Sequence, residues 1–276
     1  TDLPVPEDRV VGTATCKFLY WAFLNTNEEV SETFTMDAVD IYLFAVYDTG
    51  VNTRFELTDD GYYIPTSTDG KVTQTRFSDY TLNDGEIYSV DMTLPADWST
   101  YTDDCGPVFS ATAFDEKGTT FIGAPYVTMF ISAPTKANGA IEFWGDVDTP
   151  NGSVDAQLIA RYRLGGDLLK DTPYEKKMLA YQESNEEATF TLTYRRVERT
   201  VEGVTKISYY IGIDGIEYIC LTTGEVAVRY SEISNAANAF STKHTGNIVG
   251  LRAKTKGVKY SNITVKKASE LNVKFY

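Results

Sequence analysis

Apolar and polar residues alternate with a period of two along most of this chain. In Phe77–Leu94, Tyr88, Val90, Met92 and Leu94 point one way while Ser89, Asp91 and Thr93 point the other, the pattern of a strand with one face in a core. Phe190, Leu192 and Tyr194 stand against Thr191, Thr193 and Arg195, and Ile207, Tyr209, Ile211 and Ile213 repeat the pattern. Leu158, Ala160, Tyr162 and Leu164 stand against Ile159, Arg161 and Arg163. Cys16–Leu24 and Val39–Tyr47 are apolar on both faces, which predicts buried strands. Turn signals separate the runs: Thr58-Asp-Asp-Gly61, Asp115-Glu-Lys-Gly118 and Asp214-Gly215, with Tyr126–Ser132 and Ala140–Trp144 pairing across 133–139. Roughly a dozen strands so spaced predict an all-β antiparallel sandwich or barrel, with under about a tenth of the residues in helix. The one helix expected is Asp171–Ala180, capped by Asp171 or Thr172 with Pro173 in its first turn, and a strand there is the alternative. Ser231–Phe240 reads as a helical turn.

Two stretches organise the rest. Phe77–Leu94 opens a sheet, and Asn247–Lys267 reads as the strand pair that closes the same sheet. Gly250 and Gly257 bracket a hairpin-like reversal, and the apolar phase slips between Tyr260 and Ile263, which predicts a bulge near Ser261–Asn262. The polar run Thr66–Gly70 separates a leading β segment, residues 1–70, from the sandwich at 71–276. That leading segment is either extra strands of the sandwich or a small domain of its own.

The net charge of −14 argues against a phosphate-binding surface, so no nucleic-acid partner is expected. No run approaches the length that would insert into a membrane. The start at Thr1-Asp-Leu-Pro reads as that of a processed product. The 3 cysteines, Cys16, Cys105 and Cys220, allow at most one bridge. A single histidine makes a zinc site implausible, and His244, within Ser241-Thr-Lys-His-Thr245, reads as a surface residue.

Four pieces carry a family resemblance: F-S-D-Y-T-L-N-D-G-E-I-Y-S-V-D-M-T-L (77–94), C-G-P-V-F-S-A-T-A-F-D-E-K-G (105–118), Y-Y-I-G-I-D-G (209–215) and N-I-V-G-L-R-A-K-T-K-G-V-K-Y-S-N-I-T-V (247–265). Their order resembles the concanavalin A-like lectin/glucanase superfamily, above all its laminin-G-like and non-catalytic carbohydrate-binding members. The resemblance covers roughly residues 75–267 and implies a jelly-roll sandwich and a glycan or polysaccharide partner. Retaining glucanases of that superfamily carry Glu-x-Asp-x-x-Glu on one strand, and this chain has no Glu-x-Asp. The nearest acids are Glu142, Asp146 and Asp148, with Gly145 between them as a potential strand break. The expectation is therefore a non-catalytic module without a cofactor, secreted or at the cell surface. A structural calcium at Asp103-Asp104 or Asp146/Asp148 is left open.

Sugar binding needs aromatic faces to stack on pyranose rings and acids or Arg to grip hydroxyls. The first candidate loop is 95–104, with Trp98 and Tyr101 as a stacking platform and Asp97, Asp103 and Asp104 as acceptors. The second is Trp144 with Asp146 and Arg161. Two alternatives stand beside this reading. One is an adhesive or structural subunit whose exposed edges join copies of itself or another surface protein. The other is a hydrolase of the same fold with a displaced acid pair.

Overall fold

The computed structural model of the chain describes residues 6, 9–11, 14–16, 18–23, 30, 43–47, 55–65, 73–102, 105–112, 125–227, 239–254, 257–268 and 274–275. In chain order its strands are β1 (Arg9–Val11), β2 (Ala14–Cys16), β3 (Phe18–Phe23), β4 (Leu43–Tyr47), β5 (Phe55–Leu57), β6 (Tyr63–Pro65), β7 (Thr73–Thr81) and β8 (Glu86–Leu94). They continue with β9 (Gly106–Ala111), β10 (Val127–Ile131), β11 (Ile141–Thr149) and β12 (Gly152–Tyr162). After helix α1 (Pro173–Glu183) come β13 (Ala188–Val201), β14 (Val204–Ile213), β15 (Ile216–Thr222), β16 (Ala239–Phe240), β17 (Ile248–Ala253), β18 (Lys259–Lys267) and β19 (Lys274–Phe275).

Two large sheets face each other. The front sheet has 7 strands, ordered β12-β11-β10-β9-β17-β7 with β16 added on β11, and the back sheet has 8, ordered β19-β15-β14-β13-β8-β18-β6-β5. All pairings within them are antiparallel except the short β15–β19 pair. β1–β2 and β3–β4 form separate hairpins. Within the leading segment, β5 and β6 add the last strands of the back sheet through Tyr63 against Tyr260.

The core lies between the sheets, where period-two alternation puts it. Tyr88, Val90, Met92 and Leu94 of β8 are fully buried, as are Phe190 and Tyr194 of β13 and Tyr209 of β14. Phe109 of the front sheet packs against Tyr194 at 4.7 Å and Tyr209 at 5.0 Å, so rings from both layers interlock. Buried hydroxyls are satisfied across the layers. Tyr88 Oη donates to the Gly250 carbonyl at 3.0 Å, and Tyr260 Oη to that of Arg252 at 2.8 Å.

Each organising stretch divides between the two layers rather than staying in one sheet. Asn83-Asp-Gly85 turns the chain, Gly85 taking a φ of 75°, so that β7 joins the front sheet and β8 the back. β17 and β18 divide in the same way and seat beside β7 and β8. The expected closure therefore happens twice, once in each layer, and the Gly257 reversal is a crossover between sheets. The predicted bulge is present: the register shifts between Ser261 and Thr264, with Asn262 at φ 51°.

The helix forms over Pro173–Glu183 with Thr172 as its cap, Thr172 Oγ1 accepting from the Glu175 amide at 3.2 Å. Tyr174, Met178 and Tyr181 bury its inner side. Of the Ser231–Phe240 turn, 231–238 lie outside the described residues and Ala239–Phe240 is strand β16.

Candidate functional site

Strand β11 carries the densest chemistry in the front sheet. Phe143 and Val147 point into the core, so Glu142, Trp144, Asp146 and Asp148 stand on the opposite side. Gly145 does not end the strand. It lies where a Cβ would meet the Tyr126 carbonyl oxygen at 2.4 Å, and the β11–β12 register shifts on both sides of it. These bulges set the local twist of a sheet edge.

The first group is built around Glu142, paired with Arg161 across the ladder. Arg161 Nε donates to Glu142 Oε1 at 2.7 Å and Trp144 Nε1 donates to Oε2 at 2.8 Å. The carboxylate is buried, its side chain 3% exposed against 23% for Arg161, while Trp144 is half-buried. A buried carboxylate needs partners of this kind to stay ionised. Further across the same face Thr128 and Phe130 are buried, with the Arg252 guanidinium 5.5 Å from the Phe130 ring centre and donating to Tyr126 Oη at 3.0 Å. The open part of this face is thus its β12 side, at Trp144 and Arg161.

The second group lies further along β11. Asp148 accepts from Ser241 Oγ at 2.7 Å, from the Thr242 amide at 2.7 Å and from Thr242 Oγ1 at 2.8 Å. Burial raises its carboxyl, but these donors and Ser153 outweigh burial and hold it below the usual carboxylate range. Asp146 has the opposite environment. Burial and the neighbouring carboxylate of Asp155 push it up to about 6, against a smaller pull from Lys243. Two acids on one strand thus sit in opposite environments, Asp148 held below the usual carboxylate range and Asp146 pushed above it.

His244 closes this group from below. It is fully buried, stacked on Phe240 at 4.5 Å, and its Nε2 lies 3.0 Å from the Asp146 carbonyl oxygen. A carbonyl only accepts, so Nε2 carries a proton. Burial pushes its pKa down to about 4. The expectation of a surface histidine is therefore corrected: Thr242, Lys243 and Thr245 are exposed while the ring fills a slot against Phe240. Its burial, like the roles of Ser241 and Thr242, depends on β16 and on the turn at 241–245 folding back over β11, while Asp155 comes from β12. Nothing in the local sequence signals that.

The loop 95–104 differs from its expectation in one respect that matters. Trp98 is 7% exposed and Tyr101 2% exposed, so neither presents a ring to water as a stacking platform. They stack on each other at 5.1 Å, and Trp98 meets Tyr181 of α1 edge-on at 5.5 Å. Trp98 Nε1 donates to Asn138 Oδ1 at 3.2 Å, and Tyr101 Oη donates to the Ile131 carbonyl at 2.8 Å. Asp97 is exposed but caps the short turn Trp98–Thr100, accepting from the Ser99 amide at 2.9 Å. Asp103 and Asp104 lie outside the described residues. Of the sugar-binding candidates the structure gathers Trp144 and Arg161 around Glu142, and places Asp146 beside them on the same strand.

Among the described residues no group of three or more His, Cys, Asp or Glu side chains is placed to hold a metal ion, and no helix is long and apolar enough to cross a membrane. Cys105 is buried, its Sγ accepting from the Lys254 amide at 3.3 Å, and Cys220 is half-buried. The chain matches no protein-family profile, no curated protein and no solved structure.

Proposed function

We propose that this β-sandwich is a concanavalin A-like jelly roll and a non-catalytic carbohydrate-binding module, secreted or surface-attached, that takes its glycan over Trp144 and Arg161. The observation that carries the reading is the half-buried Trp144 held beside a half-buried Arg161 by one buried carboxylate, Glu142. A fixed aromatic face and a fixed guanidinium edge are what a pyranose ring and its hydroxyls need, and fixing them in advance lowers the entropy cost of binding. The seating of β17 and β18 inside opposite sheets supports the jelly-roll assignment. A glycan array with the wild-type chain, followed by titration of the bound sugar against Trp144→Ala, tests it. Affinity should fall roughly tenfold or more, the loss of one stacked ring, while Val154→Ala at the same sheet edge binds as wild type. An array on which the wild type binds nothing overturns the reading.

A second reading is supported by the opposed environments of Asp146 and Asp148: a hydrolase with a displaced acid pair, Asp146 as proton donor and Asp148 as the ionised partner. Residues two apart in a strand put both carboxyl groups on one face of the sheet, as the acid pair that flanks a scissile glycosidic bond requires. Release of reducing ends from a polysaccharide, abolished by Asp146→Asn, would establish it in place of the first.

A further inference from the structure

The chain contains two Asn-Gly dipeptides, Asn138-Gly139 and Asn151-Gly152, and the fold holds them very differently. An asparagine followed by glycine can modify itself, because no side chain on the following residue hinders approach to its backbone nitrogen. The glycine N–H gives its proton to a solvent base, and the nitrogen attacks the asparagine Cγ. A carbon–nitrogen bond forms, the side-chain nitrogen leaves as ammonia, and the product is a cyclic succinimide. Water then opens the ring at either carbonyl to give aspartate or isoaspartate. No cofactor or oxidant enters. The step needs an asparagine side chain that can swing over its own backbone and a glycine nitrogen that water can reach.

Asn138-Gly139 offers neither. Asn138 Oδ1 accepts from Trp98 Nε1 at 3.2 Å and its Nδ2 donates to Gln182 Oε1 at 3.3 Å. The Gly139 amide donates to the Ser132 carbonyl at 2.7 Å, and its own carbonyl accepts from Tyr174 Oη at 2.7 Å. Gly139 is buried, with Met178 and Leu164 within 3.1 Å of where a Cβ would stand. The Gly139 nitrogen is thus buried and bonded, and the Asn138 side chain, though exposed, is tied at both ends to Trp98 and Gln182.

Asn151-Gly152 is the reverse case. Pro150 and Asn151 form the tip between β11 and β12, and Asn151 and Gly152 are both exposed. The Asn151 amide nitrogen of the backbone is held by Thr149 Oγ1 at 3.1 Å, but its side chain makes no hydrogen bond among the described residues. Thr149 and Gly152 are the terminal pair of the ladder, and terminal pairs open at little free-energy cost. We propose that Asn151-Gly152 is a site of spontaneous backbone-assisted deamidation, while the chemically identical Asn138-Gly139 is protected by the fold. The product places a new carboxylate at the tip of the hairpin that carries Glu142, Asp146, Asp148 and Arg161. In its isoaspartate form it also inserts a methylene into the backbone where the β11–β12 register is set.

The test is a time course of the intact protein, produced without glycosylation, in mildly alkaline buffer at body temperature, read by peptide-mapping mass spectrometry. The peptide bearing Asn151 should gain the mass of an amide-to-acid exchange and split into aspartate and isoaspartate forms. The peptide bearing Asn138 should convert more than about tenfold more slowly, since its reaction waits on local opening. In urea-unfolded protein the two should convert at similar rates. Asn151→Gln should abolish the modification of its peptide and leave that of Asn138 unchanged. An Asn151 that stays intact while the unfolded chain converts, or an Asn138 that keeps pace with it in the folded protein, overturns the proposal.

Discussion

Trp98 stands among Asp97, Ser99 and Thr100, and its partners Asn138 and Tyr181 lie far along the chain and are brought in by tertiary structure. Trp98→Ala should therefore cost about 3–5 kcal/mol of stability, as truncating a packed core aromatic does; a urea midpoint unchanged from wild type would show that the ring is not part of the core. Asp146 and His244 set opposite responses to pH. Asp146 is raised from 3.8 to about 6 in the fold, so the folded chain binds its proton more tightly than the unfolded chain does. Its penalty is absent below the unfolded value, grows as pH rises, and is complete above the folded one. A fully buried shift of that size is worth about 3 kcal/mol, and screening at a sheet edge leaves about 1. Asp146→Asn should accordingly stabilise the protein at neutral pH and do little at pH 4 or below. His244 is lowered from 6.5 to about 4, so its contribution is complete above 6.5 and is lost as pH falls toward 4. Between those limits Asp146 offsets part of the His244 loss in the wild type, and Asp146→Asn should make acid unfolding steeper. As His244 is the chain's 1 histidine, its imidazole proton resonances can be followed alone. They should stay flat from neutrality down to about pH 5, and an ordinary titration near 6.5 would show that the ring is solvated.

At the scale of elements, alternation was a sound guide wherever a strand has one core face. β8, β13 and β14 bury the residues that period two assigns to the core. It was a poor guide to α1, whose Pro173-Tyr-Glu-Lys pattern carries little amphipathic signal. There the cap decides: Thr172 holds the Glu175 amide, and the Glu175 carboxylate turns back to accept from the amides of Asp171, at 2.7 Å, and Gly165. This differs from a capping box in that the carboxylate reaches past the cap residue to the amide before it, and so ties down the preceding loop. Thr172→Ala should cost about 1 kcal/mol. Glu175→Ala should cost more than Thr172→Ala, because it removes a buried carboxylate that holds two amides of the preceding loop. Equal midpoints in a denaturant series would show that the carboxylate does not organise the loop. The chemistry on β11 was only half legible for a related reason. The strand's own residues announce Glu142, Trp144, Asp146 and Asp148, but their partners Arg161, Ser241, Thr242 and His244 come from β12 and from the turn after β16. Spacing within a strand says nothing about which distant donors will cover it.

For the whole molecule the decisive feature is that its last long strands are interior strands of both sheets. β17 lies between β9 and β7, with Leu251 opposite Thr75, and β18 lies between β8 and β6, with Tyr260 opposite Met92. Val249, Leu251, Ala253, Val258 and Tyr260 are all fully buried in the common core. Neither sheet can therefore close until the end of the chain arrives, and contacts of such long sequence separation make folding slow and strongly cooperative. A chain ended after Thr245 would lose β17 and β18 and leave β7, β5 and β6 without their neighbours. It should show no cooperative thermal transition and should bind a hydrophobic dye, the behaviour of a collapsed chain without fixed packing. Among the described residues, a chain ended after Ala268 loses only β19, whose pairing with β15 involves Lys274 and Phe275, and it should melt cooperatively within a few degrees of the full chain. If the shorter truncation melted as sharply as the longer one, β17 and β18 would be additions to an already complete sandwich, and the double closure across both layers would not be what holds the fold together.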